Sequence, residues 1–191
     1  VFYELPEDIV EVSDTFTGTV WNTGVMRHGK YYSIDTEQNY DGKPITLGEI
    51  LQDEKDVPEK FFLTDQAKLE KFQYLRGPKK IERTSADGFT YTYSEGGMSP
   101  YDDLNLPGRT MLTSEGTVNR STHFLKVNDK YRLITPIEAE RLQDFPDDWT
   151  KLKKLSDGSI VEVSDKMRMF FMGNALVTEI VKEIGNFIKK L

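Results

Sequence analysis

The 191-residue chain is 37% hydrophobic and 30% charged, which is typical of a soluble globular protein with one large domain or two small ones. Zero cysteines exclude disulfides, thiolate metal sites and a cysteine nucleophile, and a total of two histidines excludes a histidine-rich metal site. The net charge of −7 argues against a nucleic-acid partner, and because the sequence shows neither a signal peptide nor a membrane-spanning apolar run, we expect a cytoplasmic protein.

The charge is unevenly distributed along the chain. Residues 1–60 hold 13 acidic and 5 basic residues, a net of −8, so residues 61–191 sum to +1. Within the second part, residues 68–83 carry six basic and two acidic residues, and residues 109–132 carry five basic and two acidic residues. Such a stretch is more often a solvated surface, but it permits contact with DNA.

The first 83 residues predict short and irregular elements. Strand-like residues occur at 16–26, and a short helical candidate lies at 46–54. Residues 61–83 indicate one or two helices, which end at the helix-stopping pair Gly77-Pro78.

A strand, a loop and two further strands are predicted next. Phe89, Tyr91 and Tyr93 alternate with small polar residues, which is the pattern of a half-buried strand. Three glycines and two prolines make residues 96–108 a loop. Residues 109–127 mix β-forming with small polar residues, which predicts strand, loop and strand.

The start of a helix near residue 135 is the clearest local signal. Thr135 is a good N-cap, Pro136 fits the first helical position, and Glu138 completes a capping box. The helix must end before Pro146. Glu138 and Arg141 share one face of this helix, where we expect structural roles as a cap and an ion pair.

A hairpin and two helices complete the chain. The pair Asp157-Gly158 predicts the turn of the hairpin, and a short helix is predicted at 165–172. An amphipathic helix follows, and its apolar face must pack against another surface. The residues of that face are Val177, Ile180, Val181, Ile184, Phe187, Ile188 and Leu191.

Two further features are interpreted as structural. The hexapeptide Ile-Val-Glu-Val-Ser-Asp occurs at 9–14 and again at 160–165, and because the flanking residues do not match, we interpret the repetition as coincidence. Four aromatic side chains are predicted to lie in the core. They are Phe145, Trp149, Phe170 and Phe171.

Residues 131–149 read Tyr-Arg-Leu-Ile-Thr-Pro-Ile-Glu-Ala-Glu-Arg-Leu-Gln-Asp-Phe-Pro-Asp-Asp-Trp. This segment resembles the ninth sequence motif of the C5-cytosine DNA methyltransferases, Arg-x-Leu-Thr-x-x-Glu-x-x-Arg-x-x-Gly-Phe-Pro. The matching residues are Arg132, Leu133, Glu138, Arg141, Phe145 and Pro146. Ile134 is an insertion if the match is anchored at Leu133, whereas anchoring at Thr135 keeps the later register. Asp144 replaces the usual glycine, so the turn geometry there is in question.

Two more segments carry the resemblance. Residues 171–177, Phe-Met-Gly-Asn-Ala-Leu-Val, are similar to the tenth motif, and residues 108–123 resemble the end of the target-recognition region. The three segments follow the family's order and cover residues 108–191, whereas residues 1–107 match the family only by position. The family's Pro-Cys nucleophile motif, its Glu-Asn-Val motif and its glycine-rich S-adenosylmethionine loop lie upstream and are absent from this sequence.

The resemblance implies the C-terminal part of a DNA (cytosine-5-)-methyltransferase from a restriction–modification or host-defence system. The expected fold is mixed α/β (α+β in isolation), with a small, irregular β-sheet target-recognition domain at 1–127. Residues 128–191 would be the C-terminal segment of the catalytic domain, whose helices complete a Rossmann-like methyltransferase domain. The implied partners are double-stranded DNA and a missing N-terminal catalytic domain, and no membrane. No catalytic residue is assigned, and we expect the chain alone to be inactive.

A run of hydroxyl side chains between two arginines supplies the candidate DNA contacts. They are Arg109, Thr110, Thr113, Ser114, Arg120, Ser121 and His123. Arginine binds guanine or phosphate through two parallel hydrogen bonds, and Gly108 and Gly116 allow close approach of the backbone. The alternative is a polar surface loop, and for His123 a structural role is as open as a phosphate contact.

The resemblance also implies a cofactor, S-adenosylmethionine, with a pocket mostly outside this chain. The backbone at Asn174 and Ala175 would line that pocket, while Asn174 alone also predicts a cap for the final helix. The apolar face of residues 177–191 would pack on the missing cofactor-binding sheet. In the isolated chain we expect this helix to be exposed, rearranged or covered by another copy.

Three alternatives stay open. In the first, the chain is a non-catalytic DNA-binding subunit of a split methyltransferase or a protein-interaction module. In the second, Pro146-Asp147 and Glu162 form part of a nuclease metal site, although Ser164 stands where that motif has lysine. The third is an acidic α+β domain whose motif matches are chance.

Overall fold

In a computed structural model, which describes residues 2–15, 21–37 and 42–190, the chain forms short helices and small antiparallel sheets. The chain divides into two compact units, Val1–Lys43 and Pro44–Leu191. The fold is mixed α/β with small antiparallel sheets, which confirms the predicted fold class. None of the helices in the described ranges has the length and apolar character that a membrane span requires.

The first unit is a three-stranded antiparallel sheet with one helix. Strands β1 (Phe2–Glu4) and β2 (Thr23–Arg27) both pair with the central strand β3 (Lys30–Ile34), and helix α1 spans Ile9–Thr15. The turn between β2 and β3 is formed by His28 and Gly29, which both have positive φ, as a type I′ hairpin turn requires. The strand predicted at 16–26 is present as β2 from residue 23, while residues 16–20 lie outside the described ranges.

The second unit contains the remaining elements. Its α-helices are α2 (Gln66–Arg76), α3 (Pro136–Leu142), α4 (Asp165–Asn174) and α5 (Thr178–Ile188). Its strands are β4 (Lys79–Thr84), β5 (Thr90–Glu95), β6 (Phe124–Val127), β7 (Lys130–Leu133), β8 (Leu152–Lys154) and β9 (Ile160–Glu162). These strands pair as three hairpins, β4 with β5, β6 with β7 and β8 with β9. The helical candidate at 46–54 forms 3-10 turns at Leu47–Ile50 and Glu54–Asp56.

Of the residues 61–83 predicted to be helical, Gln66–Arg76 form helix α2, and residues from Lys79 onward form strand β4 instead. The carboxylate of Asp65 accepts a hydrogen bond from the amide of Ala67 over 2.9 Å and caps the N-terminus. Gly77 is the C-cap, so the predicted stop is confirmed. The ring of Phe72 is fully buried and stacks on Phe124 with 4.7 Å between ring centroids, which fixes the helix on the β6–β7 hairpin.

Two predictions for the middle of the chain are only partly correct. The strand predicted from Phe89 onward forms as β5, but Phe89 and Tyr91 are exposed rather than half-buried, because β4 is its sole strand partner in the described ranges. Of the two strands predicted within 109–127, only the second forms, as β6. The loop predicted at 96–108 is confirmed.

One hydrophobic core joins the two ends of the second unit. The buried residues at its centre are Leu47, Ile50, Met111, Leu125, Ile134, Ala139, Met169 and Met172. The boundary expected after residue 127 falls in the turn of the β6–β7 hairpin, so residues on both sides of it share this core. The assignment of separate roles to 1–127 and 128–191 stays a functional prediction.

Candidate nucleic-acid interface

Residues 109–123, which we call the polar loop, are held at their first residue by a buried carboxylate. Arg109 donates from Nε to Asp102 Oδ1 over 2.6 Å and from Nη2 to the carbonyl oxygen of Thr122 over 3.2 Å. Arg76 donates to the other oxygen of Asp102 over 2.7 Å and to the same carbonyl over 2.8 Å. Asp102 therefore links helix α2 to both ends of the polar loop.

The charge of Asp102 is fixed by these contacts. Burial alone would raise the pKa of this carboxyl, but hydrogen bonds from Arg109, Arg76 and the amide of Phe124 outweigh burial and lower the pKa to about 2. The carboxylate is ionised at neutral pH, where it balances part of the charge of the two guanidinium groups. The side chain of Arg109 is 32% exposed and is already engaged by the protein.

Arg120 holds the other end of the polar loop. It donates to the carbonyl oxygen of Leu75 over 3.1 Å and to that of Gly96, and it forms a 2.9 Å ion pair with Glu95. Lys79 forms a second 2.9 Å ion pair with Glu95. The two arginines that the sequence predicts as DNA contacts therefore also fix the loop to its neighbours.

Asn119 organises the interior of the polar loop. Its Nδ2 donates to the carbonyl oxygen of Ser114 over 3.0 Å, and its Oδ1 accepts from the amides of Ser121 and Thr122 over 2.8 Å and 3.2 Å. The hydroxyl of Thr122 donates to the carbonyl oxygen of Thr117 over 2.5 Å. Because these local bonds use backbone groups of residues 114–122 that a strand would pair, this part of the polar loop stays irregular.

Hydroxyl groups remain accessible on the polar loop. Thr110 and Thr113 are exposed, and within the described ranges neither hydroxyl has a hydrogen-bonding partner. Ser114 and Ser121 are half-buried. Small hydroxyl donors on a fixed backbone are among the groups that bind phosphate oxygens.

His123 is fully buried next to Glu115. Its Nδ1 lies 3.2 Å from Glu115 Oε1, and the same oxygen accepts the backbone amide of His123 over 2.6 Å. Of the two roles left open by the sequence, burial supports the structural one. A side chain this buried is out of reach of a duplex, so His123 is not among the DNA contacts that we propose.

The segment similar to the tenth motif packs directly on the polar loop. Gly173 lies in the last turn of α4, where a Cβ atom would overlap the backbone of Leu112 and Thr113. Gly108 is also closely packed, since a Cβ there would overlap the side chain of Leu142. Both glycines bring parts of this protein together, so the close approach that we expected at Gly108 is made by the protein itself.

The two predicted cofactor residues lie where α4 ends. Asn174 is exposed, and its Nδ2 donates to the carbonyl oxygen of Phe170 over 2.9 Å. The N-cap of α5 is Val177, so the prediction that Asn174 caps this helix is wrong. Ala175 is half-buried and lines a largely apolar cavity of about 480 Å³ together with Val177 and Ile180.

Glu138 and Arg141 have structural roles but do not pair with each other. Glu138 is buried, bonds Arg132 over 2.7 Å and 2.8 Å, and accepts the amide of Gln52 over 2.9 Å. Arg141 instead pairs with Asp147 over 2.7 Å. Of the two carboxylates in the nuclease alternative, Asp147 is therefore engaged by an arginine. No group of three potential metal ligands occurs in the part of the chain that is described.

Asp144, which replaces the family's usual glycine, adopts a φ of 60°. This left-handed conformation is natural for glycine and is tolerated by aspartate better than by most residues. The hydroxyl of Thr178 donates to the carbonyl oxygen of Asp144 over 2.6 Å and to its carboxylate over 2.8 Å. The turn therefore keeps the geometry of a glycine turn, and the aspartate adds a link to the first residue of α5.

The apolar face of α5 is exposed, as expected for the isolated chain. No residue of α5 is buried, and Ile184 and Phe187 are 55% and 64% exposed. Three aromatic residues predicted to lie in the core are exposed too, so that prediction is wrong, and Phe145 alone of the four packs against the core cluster. The exposed three are Trp149, Phe170 and Phe171. Apolar surface of this extent is typical of an interaction site.

Three residues that shape the site were not predicted as site residues. Asn119 is a typical turn residue, and Gly173 belongs to the segment similar to the tenth motif, so both had a signal in the sequence. Asp102 had none, because its partners Arg76 and Arg109 lie 26 and 7 residues away along the chain and no local pattern joins the three.

Comparison with known proteins agrees with the three motifs. A model of the family described as C-5 cytosine-specific DNA methylase matches residues 18–190. The Type II methyltransferase M.Sau3AI of Staphylococcus aureus is 51% identical over 187 residues, which are 98% of this chain and 42% of that protein. The chain thus spans less than half the length of this relative. No solved structure gives a significant match.

Proposed function

Because the chain belongs to the C-5 cytosine-specific DNA methylase family, we propose that it recognises a specific duplex DNA sequence for the methylation of cytosine at C5. The observation that carries the proposal is the polar loop, which resembles the family's target-recognition region and has accessible hydroxyls between two fixed ends. Thr110, Thr113, Ser114 and Ser121 would contact the DNA backbone. The positive charges of Arg109 and Arg120 lie at the ends of the loop, where each arginine keeps the loop in place.

A second part of the enzyme must supply the nucleophile, because this chain has no cysteine. The target cytosine must also leave the base stack, since its reacting atoms are out of reach within a duplex. The exposed apolar face of α5 supports a docking surface for this second part. The second part is fused to this segment or is a separate subunit, and α5 would serve both arrangements.

S-adenosylmethionine supplies the methyl group when it is bound, and the proposal gives Asn174 and Ala175 one wall of its pocket. The cavity beside Ala175 is lined mainly by apolar side chains. Two of its polar side chains are already engaged, because Arg109 binds Asp102 and Gln143 donates to a backbone carbonyl over 2.9 Å, and the third, Thr110, is an uncharged hydroxyl. These residues fit an uncharged part of the cofactor, so the groups that hold its charged part would come from the missing domain.

Thr113→Val tests the polar loop directly. The change removes a hydroxyl that has no partner in the described part of the protein and keeps the side-chain shape. We expect unchanged stability and about fivefold weaker binding to duplex DNA, since one hydrogen bond contributes about 1 kcal/mol. Affinity is measured by fluorescence anisotropy with duplexes that the wild-type chain selects from a random-sequence pool.

The matched control is Thr64→Val, which removes another exposed hydroxyl outside the polar loop. Equal affinities of wild type and Thr113→Val would take Thr113 out of the interface. If the wild-type chain bound no duplex at all, the DNA-binding role would fail and the protein-interaction module would replace it.

Methyl transfer tests the requirement for a second part. The chain is combined with the portion of the staphylococcal relative that it does not match, and incorporation of labelled methyl groups into DNA is measured. We expect activity from the mixture and none from this chain alone. Ile184→Asp places a charge on the exposed face of α5 and should lower the activity of the mixture at least about tenfold, because an unpaired charge is costly to bury.

Lys182→Glu is the control, since it changes the charge of α5 at a residue whose partner is the neighbouring Glu179. The melting temperature of the isolated chain should change little in either variant, because both side chains are exposed and an exposed i,i+3 pair contributes at most about 0.5 kcal/mol. Full activity of the Ile184→Asp mixture would show that α5 does not dock on the second part.

A further inference from the structure

Strands β4 and β5, which together we call the ribbon, pair with each other along their whole length. The register runs from Lys79 opposite Glu95 to Thr84 opposite Thr90, and no third strand joins them in the described part of the chain. The ribbon closes through a short turn in which Gly88 has a φ of 86°. A two-stranded ribbon has little stability of its own, so it depends on the contacts made by its faces and its base.

One face of the ribbon carries a continuous row of polar side chains. The six residues of this outer face form three cross-strand pairs, and all six are exposed. The pairs are Lys80 with Ser94, Glu82 with Thr92, and Thr84 with Thr90. Within the described ranges neither Lys80 nor Glu82 forms an ion pair, so both charges are available to a ligand.

The opposite face of the ribbon is aromatic and more covered. Ile81 and Tyr93 form a half-buried cross-strand pair near the base, and the guanidinium of Arg83 lies 4.1 Å from the ring centroid of Tyr93. Near the tip, Phe89 and Tyr91 are exposed and stack with 6.5 Å between ring centroids. This face stiffens the ribbon and leaves the outer face for contact.

The base of the ribbon is fixed to the polar loop. Lys79 donates to the carbonyl oxygen of Leu75 over 2.7 Å and pairs with Glu95, which also pairs with Arg120 at the end of the loop. The ribbon and the polar loop therefore share one anchor. A ligand held by the loop would lie within reach of a rigid element about 20 Å long, the span of six extended residues.

We propose that the outer face of the ribbon lies in the major groove of duplex DNA and reads base edges there. This inference rests on the proposed function and deepens it by naming residues that determine the target sequence. A major groove about 12 Å wide accepts a two-stranded ribbon. Lys80 suits a phosphate at the edge of the groove, and the hydroxyl of Thr92 can bond to a base edge.

Glu82 gives the inference its sharpest consequence. Phosphates repel a carboxylate, so Glu82 gains from DNA only where it accepts a hydrogen bond, and the exocyclic amine of cytosine is the donor that carboxylates read. Glu82 would therefore reduce general affinity and add discrimination. A ribbon that merely bound the DNA backbone would have no use for this side chain.

The test compares full-length variants of this chain by selection from a pool of random-sequence duplexes. Glu82→Gln should relax the preference for cytosine at one position of the selected site by roughly tenfold while affinity for unrelated duplexes stays equal or rises. Lys80→Ala should weaken binding to all duplexes and lower the salt dependence of binding by about one ion. The matched control is Glu162→Gln on β9, a hairpin strand of three residues with the same exposed side chain.

The outcomes separate the ribbon from the wider function. A base preference that changes in Glu82→Gln but not in Glu162→Gln supports the inference. If Glu82→Gln and Lys80→Ala selected the wild-type site with wild-type affinity while Thr113→Val bound more weakly, the ribbon would lie outside the groove and the proposed function would stand. If the wild-type chain selected no sequence, the proposed function and the ribbon's role would both be overturned.

Discussion

Gly173→Ala is expected to destabilise the second unit by about 3 kcal/mol, because the added methyl group would overlap the backbone of Leu112 and Thr113. Backbone atoms cannot move aside as the end of a flexible side chain can. The sign of the effect is informative, since alanine is a better helix former than glycine by about 1 kcal/mol and propensity alone would predict stabilisation. The free energy of unfolding from urea titration gives the answer.

Gly185→Ala in helix α5 is the matched control. A Cβ at Gly185 meets nothing within 4 Å, so propensity acts alone and we expect a gain of about 0.5–1 kcal/mol. If both alanine substitutions stabilised the protein, Gly173 would not be closely packed against the backbone of the polar loop. That result would also remove the link between the tenth-motif segment and the loop.

Asp102→Asn is expected to cost about 3 kcal/mol or more, because it leaves Arg76 and Arg109 without their shared buried carboxylate. The amide keeps the shape of the side chain but does not balance the two positive charges. Its oxygen can accept a hydrogen bond from one arginine, whereas its NH2 group cannot accept one from the other. We expect a lower melting temperature and weaker DNA binding, since the polar loop loses its anchor. Asp147→Asn is the control. It removes an exposed aspartate–arginine pair, which should contribute at most about 1 kcal/mol to stability.

The effect of Asp102→Asn also depends on pH in a defined direction. The folded pKa of about 2 is below the ordinary value of 3.8, so the charged carboxylate contributes stability that is present above the ordinary value. This contribution disappears as the pH falls through the folded pKa. The difference in unfolding free energy between wild type and variant should shrink by about 2 kcal/mol from pH 4 to pH 2. A constant difference would show that the carboxylate is not held as described.

Elements with self-contained signals could be predicted from the sequence. The helix at Thr135 has its N-cap, proline and capping glutamate within four residues, and the structure has all three in those roles. Elements that depend on distant partners could not be predicted in the same way. The hexapeptide that occurs twice shows the difference, because it lies in helix α1 at 9–14 and provides strand β9 at 160–165. Tertiary context decides between the two structures, so the repetition is coincidental.

The candidate site could be located from its motifs, but the use of its side chains could not. Arg120 binds the carbonyl oxygen of Leu75, which is 45 residues away along the chain. The local pattern of arginines and hydroxyls gave no sign of such a partner. Trp149 was predicted to be buried because a large apolar side chain usually lies in the core. It is exposed, and the sequence does not distinguish a core side chain from one at an interaction surface.

Glu95 makes the behaviour of two surface segments interdependent. Its carboxylate pairs with Lys79 and with Arg120, each over 2.9 Å. Loss of either cation therefore changes the orientation of the carboxylate and the net charge next to the other cation. Substitutions on the two sides of this carboxylate should be non-additive, because residues that share a partner are energetically coupled. Divergence of such a protein would then proceed by paired changes, in which a replacement on one segment sets which replacements the other tolerates.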